Sequence, residues 1–332
     1  MKPNLFRWAT SELTQDAFLC WLFEWAKPEF RDKPLHDLSA RFIKELSGIE
    51  KSQIEELEVR KQYRNIDIVV LINKRLAILI EDKVHTKNHS NQLLRYAEIL
   101  KGEVSENDLS LIYLKTGDQS NYKGVESKGY KTFRREQFLK LLKEGRDSGI
   151  KNEIFIDFLN HLSGIDSSVN SFKTLPISKW HWDSWKGFYM ELQKRLGQGE
   201  WDYIPQRNGG FLGFWWHWES MDFKETGFDF YLQLEHEKFC FKIRPYDVQL
   251  NQVIRDHYRN ILFESALAKG LKIKRNGRCI QGKTKTMTVA KLASKYIQTD
   301  PNGLIELDKT IEKIKGIEEL MEEIKIACNR QA

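Results

Sequence analysis

Two apolar runs in this 332-residue chain carry charge where charge is expensive. In "NIDIVVLI" (65–72) a single carboxylate, Asp67, interrupts an otherwise apolar segment, and in "LAILIEDKVHTK" (76–87) five apolar residues run straight into Glu81, Asp82 and Lys83. Charge withdrawn from water is costly unless it is paired or bound to a metal. If the two runs are antiparallel strands joined by a three-residue turn centred on Lys74, paired positions sum to 148 and Asp67 lies opposite Glu81. A two-residue turn would set Asp67 against Ile80 instead. Side-chain alternation places Glu81 and Lys83 on one face and Asp82 on the other. Two carboxylates that close repel unless a cation lies between them, and hard oxygen donors favour magnesium or manganese. A neighbouring lysine can orient or help deprotonate a metal-bound water and neutralise developing negative charge. Those are the requirements of phosphodiester hydrolysis. The alternative is a salt-bridge cluster where a sheet end meets solvent.

The elements that must position these residues are legible in the periodicity. Residues 11–26 place Leu13, Ala17, Trp21 and Trp25 at i, i+4 spacing with Phe18 and Leu22 beside them, which predicts an amphipathic helix with Ser11 as N-cap. A second helix is expected over 35–47, then strands near 56–62, 65–72 and 76–84, a helix over 89–102 and a strand at 109–115. A short strand near 130 and helices around 134–145 and 151–162 follow. The order α-β-β-β-α-β predicts an α/β fold, a mixed sheet flanked by helices.

Over roughly residues 5–135, these residues in this order resemble the PD-(D/E)XK nuclease superfamily, with its restriction-endonuclease-like core. The resemblance implies that Asp67 and Glu81 are metal ligands, with the Asp82 carbonyl as a further one, and that Lys83 is the catalytic lysine. "QLLRY" (92–96) resembles the QxxxY motif of the RecB-type branch, in which Gln92 and Tyr96 share a helix face and join the catalytic set. Glu12 resembles the acidic residue that many members add to the metal site from the first helix. Ile66 replaces the proline of the first motif. The implied activity is that of a Mg2+- or Mn2+-dependent nuclease, acting on DNA in defence or repair. The alternative is a non-catalytic nucleic-acid- or partner-binding protein on a nuclease-like scaffold. Plainer readings exist residue by residue: Glu12 as a helix-dipole partner, Gln92 as an exposed polar residue, Tyr96 as packing. His85, on the Glu81 and Lys83 face if the strand continues, reads as a strand-end surface residue, and Lys87 and Arg95 read as solvated or phosphate-touching.

Composition bounds the remainder. At 41% hydrophobic and 30% charged the chain reads as a soluble globular protein, long enough for two domains. Its longest apolar runs are five residues, against about 20 for a membrane span. The first residues carry charges where a signal peptide would be apolar. Cys20, Cys240, Cys279 and Cys328 are scattered without ligand spacing, as free thiols in a reducing, cytoplasmic setting would be. A nuclease-like domain is expected over 1–165, a linker over 166–178 within the Ser-rich "SGIDSSVNSFKTLPIS", and an aromatic-rich, basic α+β domain over 179–332. That last part is expected to bind substrate or a partner, a second copy included. Seven of the ten tryptophans fall between Trp180 and Trp218, and core packing is their commoner use, base stacking the other. "FLGFWWHWESM" and "FDFYLQLEHEKFCFKIR" read as the strands of a hairpin, with Trp216 and Trp218 on one face and Trp215 opposite. Helices are expected near 247–268 and 304–327.

From Leu271 to Thr299 there are eight basic residues and no acidic one; of 53 basic residues, the other 45 face 47 acidic ones. Such a patch suits a polyanion. Within it "GRCIQGKT" (277–284) matches the phosphate-binding pattern GxxxxGK[ST], but that pattern works only between a buried strand and a helix N-terminus. "LKIKRN" before it is alternating and basic, so the expectation is a hairpin turning at Asn276-Gly277 between "LKIKR" and "RCIQ". Arg278, Lys283 and Lys285 would then project toward a phosphate backbone.

Overall fold

The computed structural model describes residues 3–86, 91–206, 209–275 and 281–331, with side chains through Ile326. The chain divides into two compact units, Met1–Ser167 and Ser168–Ala332. In the first, α1 (Glu12–Glu24) and α2 (Pro34–Ser47) precede β1 (Leu57–Tyr63), β2 (Ile66–Ile72) and β3 (Leu76–Lys83). Then follow α3 (Gln92–Lys101), β4 (Leu109–Lys115), α4 (Lys123–Glu126), β5 (Lys131–Arg134), α5 (Arg135–Asp147) and α6 (Glu153–Asn170). The sheet order is β1-β2-β3-β4-β5; β1, β2 and β3 pair antiparallel, while β3, β4 and β5 pair parallel.

β2 and β3 are strands because their β-branched runs fit a pleated surface buried on both sides. Ile68, Val70, Ile78 and Ile80 pack with Phe18, Leu22, Phe42 and Phe138 from α1, α2 and α5. Val69 and Leu79, on the opposite face, pack with Leu93, Tyr96 and Leu100 of α3. Asn73 and Lys74 adopt positive φ (52° and 55°), and the Asn73 side-chain carbonyl accepts the backbone N–H groups of Glu55 and Glu56, both at 2.9 Å. The β2–β3 connection is therefore the three-residue turn 73–75, and the register is Ile68↔Ile80 through Ile72↔Leu76. β1 is an edge strand carrying Glu58, Arg60 and Lys61, with Arg60 paired to Glu58.

Two expectations for this unit are corrected. α1 buries Gln15, Asp16, Phe18, Leu19, Leu22 and Phe23, while Leu13 is exposed. The Leu13-Ala17-Trp21-Trp25 stripe is thus not the buried one, because one flank of the buried face is polar and serves the site described below. The Ser-rich stretch is helical rather than irregular: α6 runs to Asn170, 3₁₀ turns follow at Ser171–Lys173 and Ile177–Lys179, and the division between the two units falls within it, after Ser167. Leu162, Ile165, Val169 and Phe172 recur at helical spacing and are buried or packed against a core, which overrides the weak helix propensity of serine.

The second unit begins with α7 (Trp182–Leu196) and continues with β6 (Glu200–Ile204), β7 (Phe211–Phe223), β8 (Thr226–Glu235) and β9 (Lys238–Pro245). α8 (Asn251–Ala268), β10 (Ile273–Arg275), β11 (Met287–Leu292) and α9 (Leu307–Gln331) complete it. Its six strands form an antiparallel sheet in the order β10-β11-β9-β8-β7-β6. Phe230, Leu232, Phe241 and Ile243 of that sheet pack with Phe188 of α7, Ile254 and Tyr258 of α8, and Ile314 and Met321 of α9. The second expected strand is two strands, β8 and β9, turning at His236, where φ is 54°. Trp216 is buried and Trp218 exposed, so the two do not share a face; β7 shifts register between Trp216 and Glu219. β10 pairs with β11, Ile273 opposite Leu292, and residues 278–280 of the expected hairpin partner lie outside the described residues. The Asn276-Gly277 turn lies outside the described residues, as do Cys279 and the Cys328 side chain. Cys20 and Cys240 are free thiols. No described helix is long and apolar enough to cross a membrane.

One glycine holds the ends of β3 and β4 together. A Cβ on Gly117 would stand 1.9 Å from the Val84 carbonyl oxygen, and backbone cannot yield as a flexible side chain can. Gly117→Ala is expected to lower stability by about 1–3 kcal/mol, read as a drop in urea midpoint at unchanged m-value. An alanine accepted without loss would show that this approach is not required.

Candidate metal and catalytic centre

The last paired residues of the β2–β3 ladder are Ile68 and Ile80, and one step beyond them stand Asp67 and Glu81. Lys83 Nζ lies 2.7 Å from Glu81 Oε1 and 3.3 Å from Asp67 Oδ2, and donates to the Asp82 carbonyl at 2.8 Å. Asp67 Oδ2 also accepts the Asp82 backbone N–H at 3.0 Å. The structure thus brings Asp67, Glu81, Lys83 and the Asp82 carbonyl together. Glu81 is fully buried, yet Lys83 approaches it without the alignment of a directed hydrogen bond, and neither Glu81 oxygen has a hydrogen-bond partner among the described residues.

That arrangement sets the electrostatics. Burial, reinforced by the Asp67 charge, pushes the Glu81 carboxyl up to about 7 despite Lys83 beside it. Burial alone would lower the Lys83 ammonium, but Glu81, Asp67 and Glu12 outweigh it and hold the group protonated beyond its ordinary range. Lys83 neutralises the carboxylate pair, the part a bound dication would otherwise take.

On the opposite face the Asp82 side chain meets α1. Gln15 Nε2 donates to Asp82 Oδ1 at 2.5 Å, and Gln15 Oε1 accepts from the Thr116 hydroxyl at 2.7 Å. Asp16, one turn after Glu12, is buried; desolvation first and Asp67 second push its carboxyl up to about 6. Asp82 is driven well above the carboxylate range by its own burial and by Asp16. Asp16 Oδ1 and Asp82 Oδ2 have no hydrogen-bond partner among the described residues. Gln62 spans the gap, its Nε2 lying 3.3 Å from both Asp16 Oδ2 and Asp67 Oδ1. It does so with φ at 54°, a left-handed conformation that costs a residue with a side chain about 1 kcal/mol or more.

Glu12 faces the same end of β3 but is spent on backbone. Its Oε1 accepts Val84 N (3.0 Å), Thr86 N (3.4 Å) and Thr86 Oγ1 (2.7 Å). Burial opposes ionisation, and these bonds with the nearby Lys83 charge lower its carboxyl overall. A second buried lysine, Lys115, is paired in register with Lys83 across β3 and β4 and donates to the Thr86 carbonyl at 2.5 Å. Burial lowers it to about 8. Gln15, Asp16, Gln62 and Lys115 were not singled out from sequence. Asp16 left a signal, an acid four residues after Glu12 on a helix whose neighbouring positions pack inward; the other three left none.

On α3, Gln92 Nε2 donates to Tyr96 Oη at 3.0 Å and Tyr96 is buried. Tyr130 bonds the Leu93 carbonyl at 2.8 Å; its hydroxyl is raised first by burial, then by Glu81 and Tyr96. Tyr96 and Tyr130 pack in one cluster with Val69 and Leu79, on the sheet face that Glu81 shares. His85 and Arg95 are exposed, and Lys87 lies outside the described residues. In the second unit, Lys283 and Lys285 are exposed and Arg278 lies outside the described residues. The segment after "GKT" enters β11 rather than a helix, so the phosphate-cradling reading of 277–284 fails on its first requirement.

Orphaned, buried carboxylate oxygens around an ammonium are a donor set that suits a hard dication. Among the described residues no three His, Cys, Asp or Glu side chains at this end bring a ligand atom each within 4.8 Å of one another, and because Lys83 contacts both Asp67 and Glu81, a cation here competes with it for them.

The raised Glu81 carboxyl has a thermodynamic consequence. The unfolded chain releases this proton near 4.5 and the folded one near 7, so stability falls as pH rises through that window. In metal-free buffer at pH 8, Glu81→Gln is expected to raise the unfolding free energy by on the order of 2 kcal/mol, with almost no change at pH 4.5. Thermal unfolding with chelator at the two pH values reads this directly, and a variant destabilised at pH 8 would contradict it.

A family model described as the PD-(D/E)XK nuclease superfamily matches residues 3–176, a span that holds α1 through α6 and every first-unit residue discussed above. No curated protein and no solved structure matches the chain. With more than half of the sequence matched and the mixed five-stranded sheet in place, the chain belongs to the PD-(D/E)XK nuclease superfamily.

Proposed function

We propose that the first unit is a metal-dependent nuclease that hydrolyses phosphodiester bonds of DNA. The observation that carries this reading is the buried Asp67–Glu81–Lys83 set at the end of β2 and β3, with both Glu81 oxygens lacking hydrogen-bond donors. Asp67 and Glu81 would hold Mg2+ or Mn2+, with the Asp82 carbonyl and Glu12 as further donors. The bound dication supplies an activated water and charge stabilisation for in-line attack on phosphorus. Lys83, kept as an ammonium by the carboxylates around it, supplies positive charge to the phosphate rather than acting as a base. Gln62 and Gln15 fix the orientations of Asp67 and Asp82. Gln92 and Tyr96, hydrogen-bonded to each other on α3, would serve as the QxxxY pair of the RecB-type branch.

The second unit is assigned to substrate or partner binding, self-association included, through the acid-free segment 271–299, in which Lys283 and Lys285 are exposed and to which Arg278 also belongs in sequence. A role in defence or repair follows by analogy with stand-alone members of the superfamily.

The test is cleavage of linear duplex, circular duplex and single-stranded DNA, and of RNA, with Mg2+, Mn2+ or chelator. Wild-type protein is expected to cut DNA with metal only, and Glu81→Ala and Lys83→Ala are each expected to lose at least about 100-fold. Activity that survives both changes would overturn the assignment. For the second unit, Lys283→Ala and Lys285→Ala should each reduce the salt dependence of DNA binding by about one unit of slope, uniformly across sequences. An unchanged slope in the double variant would remove these lysines from the interface.

A further inference from the structure

The break in β7 has a chemical consequence. Trp216 pairs with Leu232 and Glu219 with Phe230, so two residues of β7, His217 and Trp218, stand against one of β8. His217 takes φ of 56° to make this bulge. Bulges re-aim side chains, and this one turns the His217 imidazole toward α9. The ring is 9% exposed, and its Nε2 is buried without a hydrogen-bond partner among the described residues. Glu322 Oε1 stands 3.4 Å from Nε2. Glu219 lies beyond the bulge, and one donor atom from each of His217, Glu219 and Glu322 falls within 4.8 Å of the other two.

The surroundings favour a cation at this point. Glu318, one turn earlier on α9, accepts the Trp216 indole N–H at 2.6 Å and lies close enough to His217 to feel its charge. Lys325 takes Glu219 Oε2 at 2.7 Å, leaving the other oxygen of that carboxylate for a further contact. A buried imidazole nitrogen that faces a carboxylate oxygen without a formed hydrogen bond is expensive, and a metal ion satisfies it and both carboxylates at once.

We propose that His217, Glu219 and Glu322 form a second cation site, specific for a first-row transition dication of the zinc class, that fastens the β7 bulge to α9. One imidazole and two carboxylates are the donor types of such ions, whereas magnesium prefers oxygen alone. The site is separate from the oxygen-only carboxylates of the first unit and does not depend on their function.

Co2+ titration of the full chain carrying Glu81→Ala, followed by visible absorption and calorimetry, tests this with the first-unit site disabled. The expected result is one bound equivalent with ligand-field bands, displaced by Zn2+ and indifferent to excess Mg2+. Glu322→Gln, on a side chain that is 55% exposed and can be changed without disturbing packing, should weaken binding at least about tenfold. His217→Gln should do the same, and circular dichroism would verify that its fold is kept. Absence of binding in the parent, or equal affinity and spectrum in Glu322→Gln, would overturn the site.

Discussion

One ammonium group holds the working end of the first unit together. Lys83 is buried at the tip of a central strand, where Asp67, Glu81 and the Asp82 carbonyl surround its ammonium. The same ammonium offsets part of the cost of burying those carboxylates. The rest of the unit can be understood as the frame that keeps this cluster in register. The Asn73–Arg75 turn sets the stagger that puts Asp67 beside Glu81, and pleat alternation splits the charges between two faces. α1 meets one face with Gln15 and Asp16, while α3 and Tyr130 close the other. Gly117 lets the ends of β3 and β4 approach closely enough for Thr116 to bond both Lys83 and Gln15.

The centre is costly in the free protein, and the cost points to what it is for. Two carboxyl groups, Glu81 and Asp16, are held near neutral pH, Asp82 is raised well above the ordinary carboxylate value, and Gln62, which bridges Asp16 and Asp67, sits in a left-handed conformation. A sheet end selected for stability alone would carry apolar residues there. Strain and desolvated charge that converge on one point are the usual mark of a site that trades stability for chemistry.

The three-strand core was legible because it is local. The apolar runs define the strands, the interval between them fixes the turn, and the run Glu81-Asp82-Lys83 announces its own faces. What the sequence concealed comes from elsewhere in the chain. Gln15 and Asp16 were hidden by a helix whose apolar residues suggest a different inward face, and Gln62 and Lys115 are ordinary polar residues until the sheet sets them beside Asp67 and Lys83. The bulge at His217 has no glycine to mark it, so simple alternation put Trp216 and Trp218 on one side. The serines of 163–171 look like a linker in composition, yet Leu162, Ile165 and Val169 carry the helix through them. In "GRCIQGKT" the letters of a phosphate loop are present without the strand-to-helix junction that gives them meaning.

The strands that deliver the site, "IVVLI" and "LAILI", are also the segments of this chain most able to pair with another copy of themselves. In the folded sheet they are interior, and the strand outside them, β1, alternates Glu58, Arg60 and Lys61 along its length. A charged edge is a poor template for a further strand. β1 thus acts as a gatekeeper against aggregation, letting two strongly self-adhesive strands coexist with a sheet end whose own charges are buried.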